Sequence, residues 1–340
     1  MSVRPNLARP DVFHPSIVLA GCPQLVEGDG DDDGLVAALR ARGLHARWLS
    51  WDDPQTETAD LVILRAAWDY AERREEFLAW TTRVRHLLNA PNVVAWNSDK
   101  HYLEDLADAG VPVIRSFFFE PGDTVRLPKG ELVVKPAIGA GSIDTGRFVD
   151  PAAARKHVAA LQASGRTALV QPYDARVEQG ETALVFLGGR QSHAFTKGPM
   201  LPPQGEATLL DESGTYVTEK LASADPDFAL WDVGFAALAA AAGRLGIDTG
   251  EFLYARVDLI GGRQSRAARA GSHRARAGLA PARRADPRSA AARVRGRGGV
   301  SPRALWARSA LASTPITRRS PPCRPRRPRR ARPPAPQEHR

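Results

Sequence analysis

Near the middle of this chain an apolar run ends in a lysine and passes at once into a glycine-rich loop, a combination suited to holding phosphate. In ELVVKPAIGAGS, residues 131–142, Lys135 is followed by Gly139, Ala140, Gly141 and Ser142. Glycines allow close approach of the backbone, successive N–H groups donate to phosphate oxygens, and the lysine supplies charge. The spacing is neither a Walker loop nor GxGxxG, and an ordinary surface loop has the same composition. Other candidates follow in order: Lys100 in NSDK, Gln171, Pro172 and Tyr173 after an apolar run, Glu181 after Gly180, and Arg256 and Asp258 in RVDL. Each has a plainer alternative. Lys100 fits a solvated helix, Glu181 the polar start of a strand, and Asp258 the exposed side of a strand whose other face is apolar. His193 and Lys197 stand between site and surface, and Trp68 and Asp69 between substrate contact and core.

The elements that would position these residues can be read from periodicity. Residues 16–21, 46–49, 61–64 and 93–95 are short apolar runs that predict strands. Between them lie a helix capped by Asp33 and stopped at Gly43, and a second helix over 75–88. This alternation predicts a small open parallel sheet over residues 1–96. From residue 97, a helix over 99–109, strands over 113–119, 131–135 and 168–171, and a helix over 151–162 with Pro at its first turn build a second unit. Residues 182–187 and 191–196 predict a hairpin turning on Gly188 and Gly189. A long alanine-rich helix over 228–245 and a strand over 252–260 close the readable part. In that strand Leu253, Ala255, Val257 and Leu259 alternate with Tyr254, Arg256 and Asp258.

As an ordered series, NSDK, VVKPAIGAGS, VQPY, GE and RVDL resemble the ATP-grasp superfamily on its glutathione-synthetase-like side. RAAWDY (65–70), EEFLAW (75–80) and WNSDK (96–100) resemble a subgroup that includes the O-ureido-serine cyclo-ligase of cycloserine biosynthesis. The resemblance spans about residues 15–260 and implies an α/β architecture, a Rossmann-like pre-ATP-grasp domain followed by an ATP-grasp region. It also implies ATP and Mg²⁺ as cofactors, and small-molecule carboxylate and amine substrates joined through an acyl-phosphate. The roles it implies are nucleotide contacts for Lys100 and Lys135, and a phosphate lid for Gly139, Ala140, Gly141 and Ser142. Gln171, Pro172 and Tyr173 would read adenine, and Glu181 the ribose. Asp258 would ligate metal, with Arg256 and Lys197 as catalytic groups.

Charge divides the chain sharply. Residues 1–262 hold 25 basic and 36 acidic residues, net −11, whereas 263–340 hold 22 Arg, no Lys and only Asp286 and Glu338, net +20. Over 263–340 no apolar period is sustained, which predicts an incomplete ATP-grasp region (97–262) followed by a disordered tail. Where the subgroup resembled carries a strand like ELELIEP, completing a two-metal site, this chain reads GGRQSRAARAGSHRARAGL, with no acid between Asp258 and Asp286. Arg, Ala, Pro and Gly dominate when a GC-rich frame is read out of register. RAARAGSHRARAGL (266–279) back-translates so that a one-nucleotide shift reads VLLELDLIEPELG, and residues 293–305 conceal a helix-like string. A frameshift near residue 262, in the gene or its recorded sequence, is therefore expected. The rival expectations are a non-catalytic nucleotide-binding remnant, and nonspecific anion or nucleic-acid contact through the basic tail. Two cysteines, Cys22 and Cys323, exclude a disulfide framework and fit a reducing cytoplasm. The longest apolar stretch, 235–242, is too short to span a bilayer.

Overall fold

The computed structural model describes residues 14–199, 220–261 and the strand 274–278. The first sheet is wholly parallel, in the order β2-β1-β3-β4, from β1 (Ser16–Gly21), β2 (His45–Ser50), β3 (Leu61–Ala66) and β4 (Leu87–Leu88). Both faces of β1 are covered, so its sequence is a continuous apolar run. Ile17 and Leu19 pack with Leu39 of α1 (Leu35–Arg40), while Val18 and Ala20 share a core with Trp51, Phe77 and Trp80. The indole of Trp80 donates to Thr56 of α2 (Gln55–Thr58), and that of Trp51 donates to Asp69 at 2.8 Å. Asp69 is thus a buried brace of this core.

Several expected boundaries move. Helix α1 has Gly34 at its N-cap and no side-chain cap, so Asp33 does not play that part. Helix α3 (Arg74–Arg83) ends before residue 88, and Leu87–Leu88 takes the sheet edge. Residues 93–95, expected as a strand, lie in α4 (Pro91–Asn97), which opens with Pro at its first turn. Three apolar residues carry no period, and the proline favours helix initiation.

After α5 (Tyr102–Asp108), the second sheet is antiparallel, ordered β5-β8-β6-β7: β5 (Phe117–Phe119), β6 (Leu132–Pro136), β7 (Gly146–Phe148) and β8 (Ala168–Pro172). Leu132, Val134, Ala168 and Val170 pack on Ala154, Val158 and Leu161 of α6 (Pro151–Ala163). The alternation turns Val133 and Lys135 to the opposite face.

The third sheet is antiparallel in the order β11-β10-β9-β12-β13: β9 (Glu181–Leu187), β10 (Arg190–Lys197), β11 (Leu221–Ala224), β12 (Tyr254–Ile260) and β13 (Arg274–Gly278). Gly188 and Gly189, at φ +55° and +71°, form the primed hairpin turn expected. Leu184, Phe186, Ala255, Val257 and Leu259 face α7 (Phe228–Leu245), which contributes Leu230, Trp231, Ala237, Leu238 and Ala241 to their core. By length and composition this helix, at 18 residues and mean hydropathy 1.3, passes as a membrane span. The sequence reading expected this helix and counted only 235–242 as its apolar stretch, too short to span a bilayer. Packing against the sheet makes α7 a core helix, and its apolarity serves that burial.

The strand β13 departs from the sequence reading, which expected no element after residue 262. The far edge of β12 carries unpaired backbone groups that pair with a chain of almost any composition. Residues 274–278 do so antiparallel, with Asp258 in register with Arg276. The remaining residues of the expected disordered tail lie outside the described part.

Asn89 ties the first sheet to the third. Its side chain donates to the Tyr254 carbonyl (2.8 Å) and accepts from the Leu253 amide (2.8 Å). Asn89→Ala orphans both backbone groups and is expected to destabilise the fold by about 1–3 kcal/mol, read as a lower urea midpoint. An unchanged midpoint would show that water replaces both bonds.

Candidate active site

A cavity of about 240 Å³ opens where the three sheets meet. β3 and the following 3₁₀ turn bring Arg65, Trp68 and Tyr70 to it, β6 brings Lys135, and the next loop brings Gly139, Ala140, Gly141 and Ser142. Lys100, Lys197, Arg256 and Asp258 complete the charged lining, and Tyr254 lies among them. The sequence-expected residues Lys100, Lys135, the 139–142 loop, Lys197, Arg256 and Asp258 therefore converge. Gln171, Pro172, Tyr173 and Glu181 do not line this cavity.

Asp258 is 7% exposed, so the plainer reading of a solvated strand acid is set aside. All of β12 is buried: Val257 and Leu259 face α7, while Tyr254, Arg256 and Asp258 face the cavity. The Arg256 guanidinium donates to Asp258 through Nε at 2.8 Å and Nη2 at 3.1 Å. From β10, Lys197 Nζ donates to Asp258 Oδ2 at 2.6 Å and pairs with Glu181 at 2.7 Å. Lys197 and Glu181 are cross-strand neighbours, which fixes this contact by register. Burial pushes the Asp258 carboxyl up, but the charges of Arg256 and Lys197 outweigh it and hold it down at about 2. Burial pushes the Tyr254 phenol up to about 12, so it is a neutral hydroxyl at neutral pH.

Lys100 has a specific position. Its ammonium donates to the carbonyls of Gly139 (2.9 Å), Ala137 (3.1 Å) and Pro136 (3.3 Å), and its own amide donates to Ala137. It clamps the base of the glycine-rich loop. The loop turns tightly, with Gly141 and Ser142 both at φ +62°. A left-handed serine is costly unless its surroundings enforce it, which fits a loop shaped for a ligand. The Tyr70 hydroxyl donates to Gly139 O at 3.3 Å, linking the loop to the first sheet.

The expected hinge is engaged within the second sheet. Gln171 is buried and donates to Ser116 at 2.9 Å, and the Tyr173 amide donates to the Glu131 carbonyl. The Tyr173 ring lies 3.7 Å beneath the Arg147 guanidinium. Glu181 lies off the lining, behind Lys197, with which it pairs. His193, half-buried, also lies off the lining, and burial alone lowers its pKa.

Of the wall given by the first sheet, sequence reasoning had weighed Trp68 but missed Arg65. Arg65 forks onto Asp32 through Nε (2.5 Å) and Nη2 (2.9 Å), and its guanidinium lies 5.4 Å from the Tyr254 ring centre. Trp68 lines the cavity and donates to Asp29 at 3.0 Å. The acid-rich segment GDGDDDG, residues 28–34, was the available signal, but nothing local says which basic residue it meets.

The lining suits a polyanion: among the described residues it carries Arg65, Lys100, Lys135, Lys197 and Arg256 against the single carboxylate of Asp258. It does not suit Mg²⁺, which needs several oxygen ligands in near-octahedral array. Both Asp258 oxygens are already taken by Arg256 and Lys197, and no cluster of three metal-binding side chains occurs among the described residues. Asp258 stands here as the anion of a buried ion cluster with Arg256 and Lys197.

Comparison with known proteins bears on the family and the fold. Residues 17–89 match the family described as D-cycloserine synthetase DcsG, N-terminal domain. The cycloserine biosynthesis protein DcsG of Streptomyces lavendulae is 37% identical over 252 residues, 69% of this chain and 82% of that protein. The chain belongs to the DcsG family of ATP-grasp ligases. The crystal structure of D-cycloserine synthetase DcsG superposes with a TM-score of 0.67 at 32% identity, covering 78% of this chain and 92% of that one. A D-alanine–D-alanine ligase from Bacillus anthracis, at 12% identity and TM-score 0.52 over 79% of this chain and 88% of its own, shares the fold alone. Membership in the DcsG family gives the chain a carboxylate–amine ligase scaffold.

Proposed function

We propose that this chain is an ATP-binding protein of the carboxylate–amine ligase type whose cavity takes the triphosphate of ATP beside a small-molecule carboxylate. Lys135 and the 139–142 loop hold the phosphates, Lys100 keeps the loop in place, and Arg256 meets the transferred phosphoryl or acyl-phosphate. Lys197 acts as the cation that orients Asp258 against Arg256. Gln171, Pro172 and Tyr173 are assigned to adenine, and Glu181 to the ribose edge. Residues 1–96 supply the substrate wall and 97–262 the nucleotide fold. By likeness to the cycloserine biosynthesis protein, the carboxylate and amine belong to small molecules and the setting is cytoplasmic. Turnover is impaired in the sequence as it stands, because residues past 262 are read out of frame. The observation that carries this reading is the convergence of Lys135, the glycine-rich loop and Arg256 on one cavity.

Lys135→Ala tests it. A charge-assisted contact contributes roughly 1.5–3 kcal/mol, so the variant is expected to bind ATP about tenfold or more weakly by calorimetry. Unchanged affinity would remove the phosphate site from this cavity. ATP binding without any ADP release over a panel of amino acids would leave a nucleotide-binding remnant.

A further inference from the structure

We propose that this chain binds the nucleotide as free ATP or ADP, without a divalent cation. The inference rests on the ATP reading above and specifies the ionic form of the ligand. Asp258 is the one carboxylate among the described lining side chains, and both its oxygens already face cations: Arg256 Nε at 2.8 Å and Nη2 at 3.1 Å, and Lys197 Nζ at 2.6 Å. The carboxylate behind it, Glu181, is held by the same ammonium at 2.7 Å. Two cations fixed to β10 and β12 therefore fill the electrostatic place next to these acids. A divalent ion would have to displace at least one of them and then sit beside both in a buried setting, where like charges repel strongly.

From 259 to 285 the sequence offers no Asp or Glu that could add to a metal shell. Polyphosphate, by contrast, meets Lys100 and Lys135 beside the loop and Arg65 and Arg256 across the cavity. Fixed cations preorganised around a phosphate perform the neutralising part that a bound metal otherwise supplies. Magnesium in solution then competes for the nucleotide and gives the protein nothing in return.

The test is calorimetric titration of the full chain with ATP, once in excess EDTA and once in excess magnesium chloride. The expected result is an affinity in magnesium that is equal within about threefold or weaker. Tightening by more than about threefold on adding magnesium would overturn the inference while leaving the ATP reading intact. Absence of heat in both buffers would overturn the ATP reading itself. Lys197→Met, which removes the internal cation, is expected to acquire a magnesium-dependent gain in affinity. A folded Lys197→Met protein with no such gain would show that Lys197 is not the substitute.

Discussion

Restoring the reading frame downstream of residue 262 is expected to raise ATP-dependent ADP release by about a thousandfold over the chain as it stands. The shifted reading of residues 266–279 returns three glutamates and an aspartate to the stretch that follows β12. Phosphoryl transfer depends on positioning and on stabilising charge, so a site lacking its acidic partners loses the groups that arrange the reacting phosphate. A deficit of ~4 kcal/mol in transition-state stabilisation corresponds to that thousandfold. The edge of β12 stands ready for such a strand, since RARAG already pairs there through its backbone. Both versions would be expressed and assayed with a panel of amino acids and carboxylates. Equal turnover would mean that the arginine-rich segment is native and competent.

Asp258→Ala is expected to cost about 3–5 kcal/mol of folding stability, the typical penalty for leaving buried cations without their anion. Lys197 and Arg256 are both almost wholly buried and would lose this carboxylate, with Lys197 keeping its contact to Glu181. Urea unfolding measures the loss, and a change below ~1 kcal/mol would show that water reaches the cluster. The pH dependence has a definite sign. The folded carboxyl is depressed to about 2 from an ordinary 3.8, so the unfolded state takes up its proton first as pH falls. Its contribution is complete above about pH 4 and is lost on descending toward pH 2. Asp258→Ala should lack that part of the acid transition.

What was legible in the sequence was whatever one strand carries by itself. The alternation in β12 separates Val257 and Leu259 from Arg256 and Asp258, and Lys135 follows from the same period in β6. The glycine turn of the β9–β10 hairpin was equally local. What stayed hidden was set by register between distant segments. Lys197 meets Asp258 across 61 residues and Arg65 meets Asp32 across 33, and no local period encodes either meeting. From the sequence Asp258 was therefore a single strand residue, without the two cations that meet it. Residues 93–95 failed for the opposite reason: the run was too short to hold any period, and the preceding proline decided for helix.

The position of β12 also bears on how the chain is made. It is paired with β9 along its whole length, yet some seventy residues separate the two in the chain. At ribosomal speeds of 5–20 residues per second, β9 waits on the order of ten seconds for its partner to emerge. During that interval the nascent hairpin presents Leu184 and Phe186 on one side and an unpaired backbone edge on the other. A hairpin whose inner-strand partner arrives this late needs shelter while it waits, so the third sheet is where a translating ribosome would most need a chaperone.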